Sequence, residues 1–268
     1  MRLITCAIFF FVFAPNLCGQ PQHPASGTGP TERTPRPFPA SEAPQPSWLS
    51  LPGSGLEPPL PGGTTVSVSN LLIPSSATKE LRHSQQSFQS GDLRDTVKHL
   101  EKAIRIHPQL PAAHHNLGVC YVRLREYDKA VTEFQNASAL DSHLVQPLVS
   151  LSGVFFLLAR YEEGVAAARR ALDLDPLNST TRYLLGIMLA AEGRDTPEVV
   201  ELLRKSPSKF PAAHLVLASI FLKRNATEEA VGELREYLQQ PEAPEKEKVA
   251  CMVERLTQPS GNHTCAIR

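Results

Sequence analysis

The pattern that most restricts this 268-residue chain returns every 34 residues from Ala77 onward. Its clearest copy is PAAHHNLGVCYVRLREYDKAVTEFQNASALDSHL, residues 111–144. Apolar residues there fall three and four apart in two runs joined at residues 124–126. That is the spacing of one face of an α-helix. Leu117, Gly118 and Tyr121 share a face of the first run, and Ala130, Phe134 and Ala137 share one of the second. A small residue in mid-face on each side, Gly118 and Ala130, lets two backbones approach, while Leu117, Tyr121 and Phe134 fill the space beside them. The expected unit is a helical hairpin with one shared seam. Such a unit cannot cover its apolar surface alone, so a recurrence of this length predicts a stacked array.

The copies are in phase. Residues 77–110 carry a Gly91–Asp92 turn, then Thr96, Leu100, Ala103 and a closing Pro108. Residues 145–178 carry Leu151, Ser152 and Phe155 on the first run, Gly164, Ala168 and Ala171 on the second, and Pro176 at the end. A fourth unit, 179–210, has Leu185, Gly186, Leu189 and a turn at Gly193; a fifth, 211–244, opens with PAAHLVLASIFLKR, an echo of the second. The fourth is two residues short, and the shortfall is expected in its second helix, where Pro197 can only start a helix and Pro207 must end one.

This array resembles the tetratricopeptide repeat family. That family has small residues at the eighth, twentieth and twenty-seventh places and proline near the thirty-second. Here those places read Ser84, Thr96, Ala103 and Pro108; Gly118, Ala130, Ala137 and Ser142; Ser152, Gly164, Ala171 and Pro176. In the fifth unit they read Ala218, Ala230 and Tyr237. The family's aromatic at the fourth place is missing throughout: Glu80, His114, Leu148, Arg182 and His214 stand there. The resemblance implies an all-α fold, a right-handed superhelical array of about five hairpins. A helix over 245–256, with Val249, Met252, Val253 and Leu256 on its apolar face, is expected to cap the array.

The flanks read differently. Residues 1–19 hold an apolar run of about a dozen residues, too short to span a ~30 Å bilayer core. They read as a secretory signal peptide cleaved after Gly19; lipid attachment at Cys18 and retention as an anchor are the rivals. Residues 20–63 are rich in Pro, Ser and Gly, and are expected to form a disordered spacer. A sharper alternative folds Trp48–Leu51 back into the chain's own groove. Residues 64–76 are an extended lead-in, with Ser76 or Thr78 as a cap for the first helix. Residues 257–268 are a loop-like tail. Export would permit a Cys251–Cys265 disulfide, whereas Cys120 reads as a small buried hydrophobe.

Formal net charge is zero, which argues against a nucleic-acid partner. No HExxH, CxxC, GxSxG or phosphate-cradling glycine loop occurs. The nine histidines are scattered, and neighbouring His114 and His115 would point about 100° apart on a helix. Neither catalysis, nor a metal, nor a cofactor is expected.

Function must then lie on a surface. In stacked hairpins of this family the first helices line a concave groove. The matching places hold Phe88, His115, Val119, Val122, Arg123, Val149, Phe156, Tyr183, Ile187, Leu215 and Lys223. Family members that clamp a chaperone's C-terminal carboxylate use set groove residues, and only Asn116 matches; Leu81, Gln85, Gln146 and Ser150 occupy the other places. The expectation is a non-catalytic scaffold that binds a protein segment in an apolar groove, anchored by Phe88, Val122, Phe156, Tyr183 and Ile187, with His115, Arg123 and Lys223 on the rim. The alternative is a structural or self-associating cell-envelope module, its groove filled by its own tail or a second copy. Nucleic acid and small-molecule substrates are not expected, and a membrane enters only as transit or tether.

Overall fold

The computed structural model describes residues 73–206, 210–241 and 243–258. The signal peptide, the proline-rich spacer, most of the lead-in and Cys265 lie outside the described residues. All regular structure among the described residues is helical, in eleven helices. Here α1 (Ser75–Gln89) pairs with α2 (Leu93–Ile106), and α3 (Pro111–Arg123) with α4 (Tyr127–Leu140). Likewise α5 (Val145–Leu157) pairs with α6 (Tyr161–Leu174), and α7 (Ser179–Ala191) with α8 (Pro197–Arg204). Each second helix also packs on the next first helix, α2 on α3, α4 on α5 and α6 on α7. These hairpins belong to one compact unit that ends at Ala213. A second unit begins at His214 and holds most of α9 (Ala212–Lys223), then α10 (Thr227–Gln239) and α11 (Lys246–Thr257), with α11 packed on α10.

The five hairpin turns are built alike. Gly91, Arg125, Ala159, Gly193 and Asn225 have φ of 83°, 62°, 55°, 77° and 59°. In each, the N–H of that residue returns to a carbonyl three back and the next N–H to one five back, as in Arg125 to Val122 and Glu126 to Tyr121. This is the left-handed stop that satisfies the last carbonyls of a helix. Four of the turns are 34 apart, and the fifth follows after 32. The shortening falls in α8, which has 8 residues where α2, α4 and α6 have 14.

Arg125 and Ala159 hold a conformation that costs a Cβ-bearing residue roughly 1–2 kcal/mol. Ala159 is exposed. Ala159→Gly is therefore expected to raise stability by up to about 1 kcal/mol, after subtracting glycine's larger unfolded-state entropy. Chemical denaturation of the two chains checks it; a loss of stability would contradict the strain.

At the seams the small-residue reading acquires dimensions. A Cβ added to Gly118 would lie 2.6 Å from Phe134 Cε1, so the ring occupies the volume that glycine leaves. Phe134, Ala130 and Ala137 are 0% exposed. The missing aromatic at the fourth place also finds its substitute. Glu80 meets His99 at 2.6 Å, His114 meets Glu133 at 2.7 Å and His214 meets Glu233 at 2.9 Å, each pair 19 residues apart across its own hairpin. In the third unit Leu148 is buried instead, and in the fourth Arg182 donates to the carbonyl of Leu177 at 2.8 Å.

Two local expectations need correction. Neither Ser76 nor Thr78 caps α1, because the helix starts earlier, with Pro74 in the cap position and both hydroxyl residues inside its first turn. Nor does the last helix run over 245–256: α11 spans Lys246–Thr257. The left-handed Glu245 precedes that helix, and the Pro244 carbonyl accepts from the Tyr237 hydroxyl.

Candidate functional site

The first helices α1, α3, α5 and α7 carry most of the residues assigned to the groove, and packing divides them into two kinds. His115, Val119, Val122 and Ile187 are 1–3% exposed. Successive first helices touch, α3 with α5 and α5 with α7, and His115 reaches Ser150 across the first of these contacts. His115 is therefore no rim group, and Val122 and Ile187 are not open anchors. Phe88, Arg123, Val149, Phe156 and Tyr183 are half-buried, with part of each side chain still facing solvent. In the second unit Leu215 is buried and Lys223 is exposed.

Among the half-buried set the side chains are already organised. The Arg123 guanidinium stands over the Phe88 ring, 4.3 Å from its centroid, which ties α3 to α1. Tyr183 stacks on Phe210 with centroids 4.3 Å apart and planes 5° from parallel. Burial pushes the Tyr183 phenol up to about 12, so it stays uncharged. Phe156 lies 6.1 Å from Tyr161. The half-buried set is thus mostly aromatic, with one cation standing over a ring.

His115 has a separate character. Its Nε2 is 3.3 Å from Ser150 Oγ on α5, its ring lies 5.4 Å from that of Phe134, and its Nδ1 is buried without a hydrogen-bond partner. Burial first, against a hydrogen bond to Asn116, pushes its pKa down to about 4. At neutral pH it is an uncharged wedge. Cys120 is fully buried, and burial raises its thiol to about 12, so it is an unreactive packing residue. Cys251 is buried on α11, and its candidate disulfide partner Cys265 lies outside the described residues.

Two features escaped the sequence reading. Glu80, His83 and His99 place three ligand-type atoms within 4.8 Å of one another. Spacing could have indicated them, since Glu80 and His83 sit three apart on α1, and His99 follows Glu80 at the same interval of 19 as the other cross-hairpin pairs. The second is a row of exposed apolar residues, Ile106, Leu140 and Leu174, which close α2, α4 and α6 at intervals of 34. Among the described residues no helix is long and apolar enough to cross a membrane.

Profiles of the family described as Tetratricopeptide repeat match residues 87–148 and 158–211. The hairpins across these residues are tetratricopeptide repeats. The TPR chain is similar to Stress-induced-phosphoprotein 1 of Caenorhabditis elegans, 22% identical over 185 residues, which is 65% of this chain and 54% of the relative. It is 25% identical over 117 residues to BBSome complex member BBS4 of Bos taurus, 44% of this chain and 22% of that one. The TPR chain thus spans about half the length, or less, of these curated relatives. Among solved structures it shares its fold with YrrB, described as "a TPR protein with an unusual peptide-binding site". The TM-score is 0.58 at 17% identity, over 67% of this chain and 92% of that one.

Proposed function

We propose that this protein is a non-catalytic, exported scaffold that binds an extended segment of another protein across the first helices of its larger unit. The observation that carries the reading is the half-buried aromatic set Phe88, Phe156 and Tyr183, with Val149 beside it and Arg123 lying on Phe88. Aromatic rings and a stacked guanidinium supply large contact area at low entropic cost, and such residues dominate protein recognition. The likeness to YrrB, described as having a peptide-binding site, supports a peptide as ligand. The carboxylate clamp is not carried over: Leu81 and Asn116 are both buried, at 5% and 3% exposure. Specificity then comes from apolar and aromatic side chains of the partner and from an acidic group that reaches Arg123.

The test is selection from a displayed random-peptide library, followed by affinity measurement on the chain and on Phe156→Ser/Arg123→Glu. Both substitutions touch half-buried positions, so circular dichroism should be unchanged. The expected outcome is enrichment of peptides with aromatic or aliphatic anchors near an acidic residue, and a loss of at least about tenfold in affinity in the variant. Peptides that bind both proteins equally would remove this face as the site. Light scattering over a wide concentration range separates the self-associating alternative, in which apparent mass rises with concentration. Export rests on residues 1–19, and N-terminal sequencing of protein expressed from the whole reading frame tests it: a mature chain beginning at Gln20 supports it, and one beginning at Met1 refutes it.

A further inference from the structure

The cross-hairpin pairs of three TPR units are alike in all but one respect. In the second and fifth units the partners are His114 with Glu133 and His214 with Glu233. The residue one turn further along the first helix is then leucine, Leu117 and Leu217. In the first unit the order is reversed, with Glu80 on α1 and His99 on α2, and the residue one turn further along is His83. A hydrogen-bonded pair that replaces the family aromatic accounts for Glu80 and His99. It does not account for His83.

His83 is half-buried, and its ring stands edge-on to that of His99 with centroids 5.1 Å apart. One ligand atom from each of Glu80, His83 and His99 falls within a 4.8 Å group. Behind His99 a second layer is in place. Its Nδ1 faces Glu80 Oε2 at 2.6 Å, while Asp95 Oδ2 lies 3.5 Å from its Nε2. Asp95 is held in turn by the Ser87 hydroxyl, which donates to it at 2.6 Å.

We propose that Glu80, His83 and His99 bind a divalent transition-metal ion of the zinc class. Two imidazoles and a carboxylate are a donor set for zinc and its neighbours, and a poor one for calcium or magnesium, which prefer all-oxygen shells. A carboxylate behind the far nitrogen of a ligating histidine orients the ring and raises its basicity, and Asp95 stands in that position behind His99. Donors around a tetrahedral zinc with bonds of ~2.0–2.1 Å lie about 3.4 Å apart, so Glu80 and His99, now at 2.6 Å, must open by roughly an ångström, and any wider pair in the group must close by roughly an ångström and a half at most. Their terminal torsions can supply this. Lys102 Nζ, 3.4 Å from Glu80 Oε1, is the competing cation, and its side chain is 58% exposed and free to swing outward. The bound ion would pin α1 to α2 in the first hairpin, with water in its remaining positions.

The experiment is calorimetric titration of zinc chloride into the chain made without a histidine tag, alongside His83→Ala and His143→Ala. His83→Ala leaves the Glu80–His99 pair intact, so the fold is kept; His143 is exposed between α4 and α5 and serves as control. The expected result is one equivalent bound by wild type and by His143→Ala, at least tenfold weaker binding by His83→Ala, and a zinc-dependent rise in melting temperature only in the first two. Cobalt in place of zinc should give visible absorption bands that vanish in His83→Ala. Absence of one-equivalent binding, or equal affinity in His83→Ala, overturns the site.

Discussion

Phe134→Ala is expected to lower the unfolding free energy by about 3–5 kcal/mol, the range for removing a fully buried aromatic ring. Phe134 is 0% exposed and lies against Gly118 on the facing helix, with His115 on the same side. The more discriminating result is its coupling to Gly118. Alone, Gly118→Ala gains roughly 0.5–1 kcal/mol of helix propensity but drives a Cβ into a ring with no free direction, and such overpacking costs about 1–3 kcal/mol. It should therefore be net destabilising. In the Phe134→Ala background the ring is gone, and the same methyl group fills part of the cavity. Gly118→Ala should then stabilise. Urea unfolding of the four proteins in the cycle measures this change of sign; additive effects would mean that the seam does not depend on the glycine–ring contact.

The acid side of the stability profile should be set in large part by His115. Its folded pKa is about 4 against an ordinary 6.5, because burial disfavours the charged ring. A depressed folded pKa contributes stability that is fully present above the unfolded value and is lost as pH falls through the folded one. Between about pH 7.5 and about pH 5 the loss should be about 2 kcal/mol, at roughly 1.4 kcal/mol per pH unit below the unfolded pKa. Its neighbour runs the other way. At His114 burial lowers the pKa, but hydrogen bonds to Glu133 and to the Pro108 carbonyl outweigh it and the net shift is upward. Its contribution is present below the ordinary histidine value and fades as pH rises through the folded one. Comparing wild type with His115→Leu at both pH values isolates the first effect, since leucine has no charged form and no buried unpaired nitrogen. The variant should lose about 2 kcal/mol less than wild type over this interval; identical slopes would show that His115 titrates normally.

Repeat number, phase and hairpin geometry were legible from the sequence because they are local and periodic. A helix face is defined by neighbours three and four apart, and a 34-residue recurrence samples that face again in every unit. The same locality made Gly118, Ala130 and Phe134 readable as one seam, and placed the missing residues of the fourth unit in its second helix. The groove was only half legible. Register assigns Val122 and Phe156 to the same place in consecutive units, yet Val122 is 1% exposed and Phe156 is half-buried, because exposure depends on the helix packed alongside and not on the residue's own helix. His115 shows the limit most clearly: a polar residue in a groove position reads as a rim group, and contact with α5 and Phe134 makes it a neutral core wedge.

Periodicity within one chain therefore determined that this protein is a stack of helical hairpins, since each hairpin is specified by residues close in sequence. Tertiary structure decided which first-helix residues stay open to a ligand, and which polar side chains come within hydrogen-bond distance of one another. Those outcomes depend on pairs 19 to 35 residues apart, such as Glu80 with His99 and His115 with Ser150, whose distances follow from how the helices settle against one another.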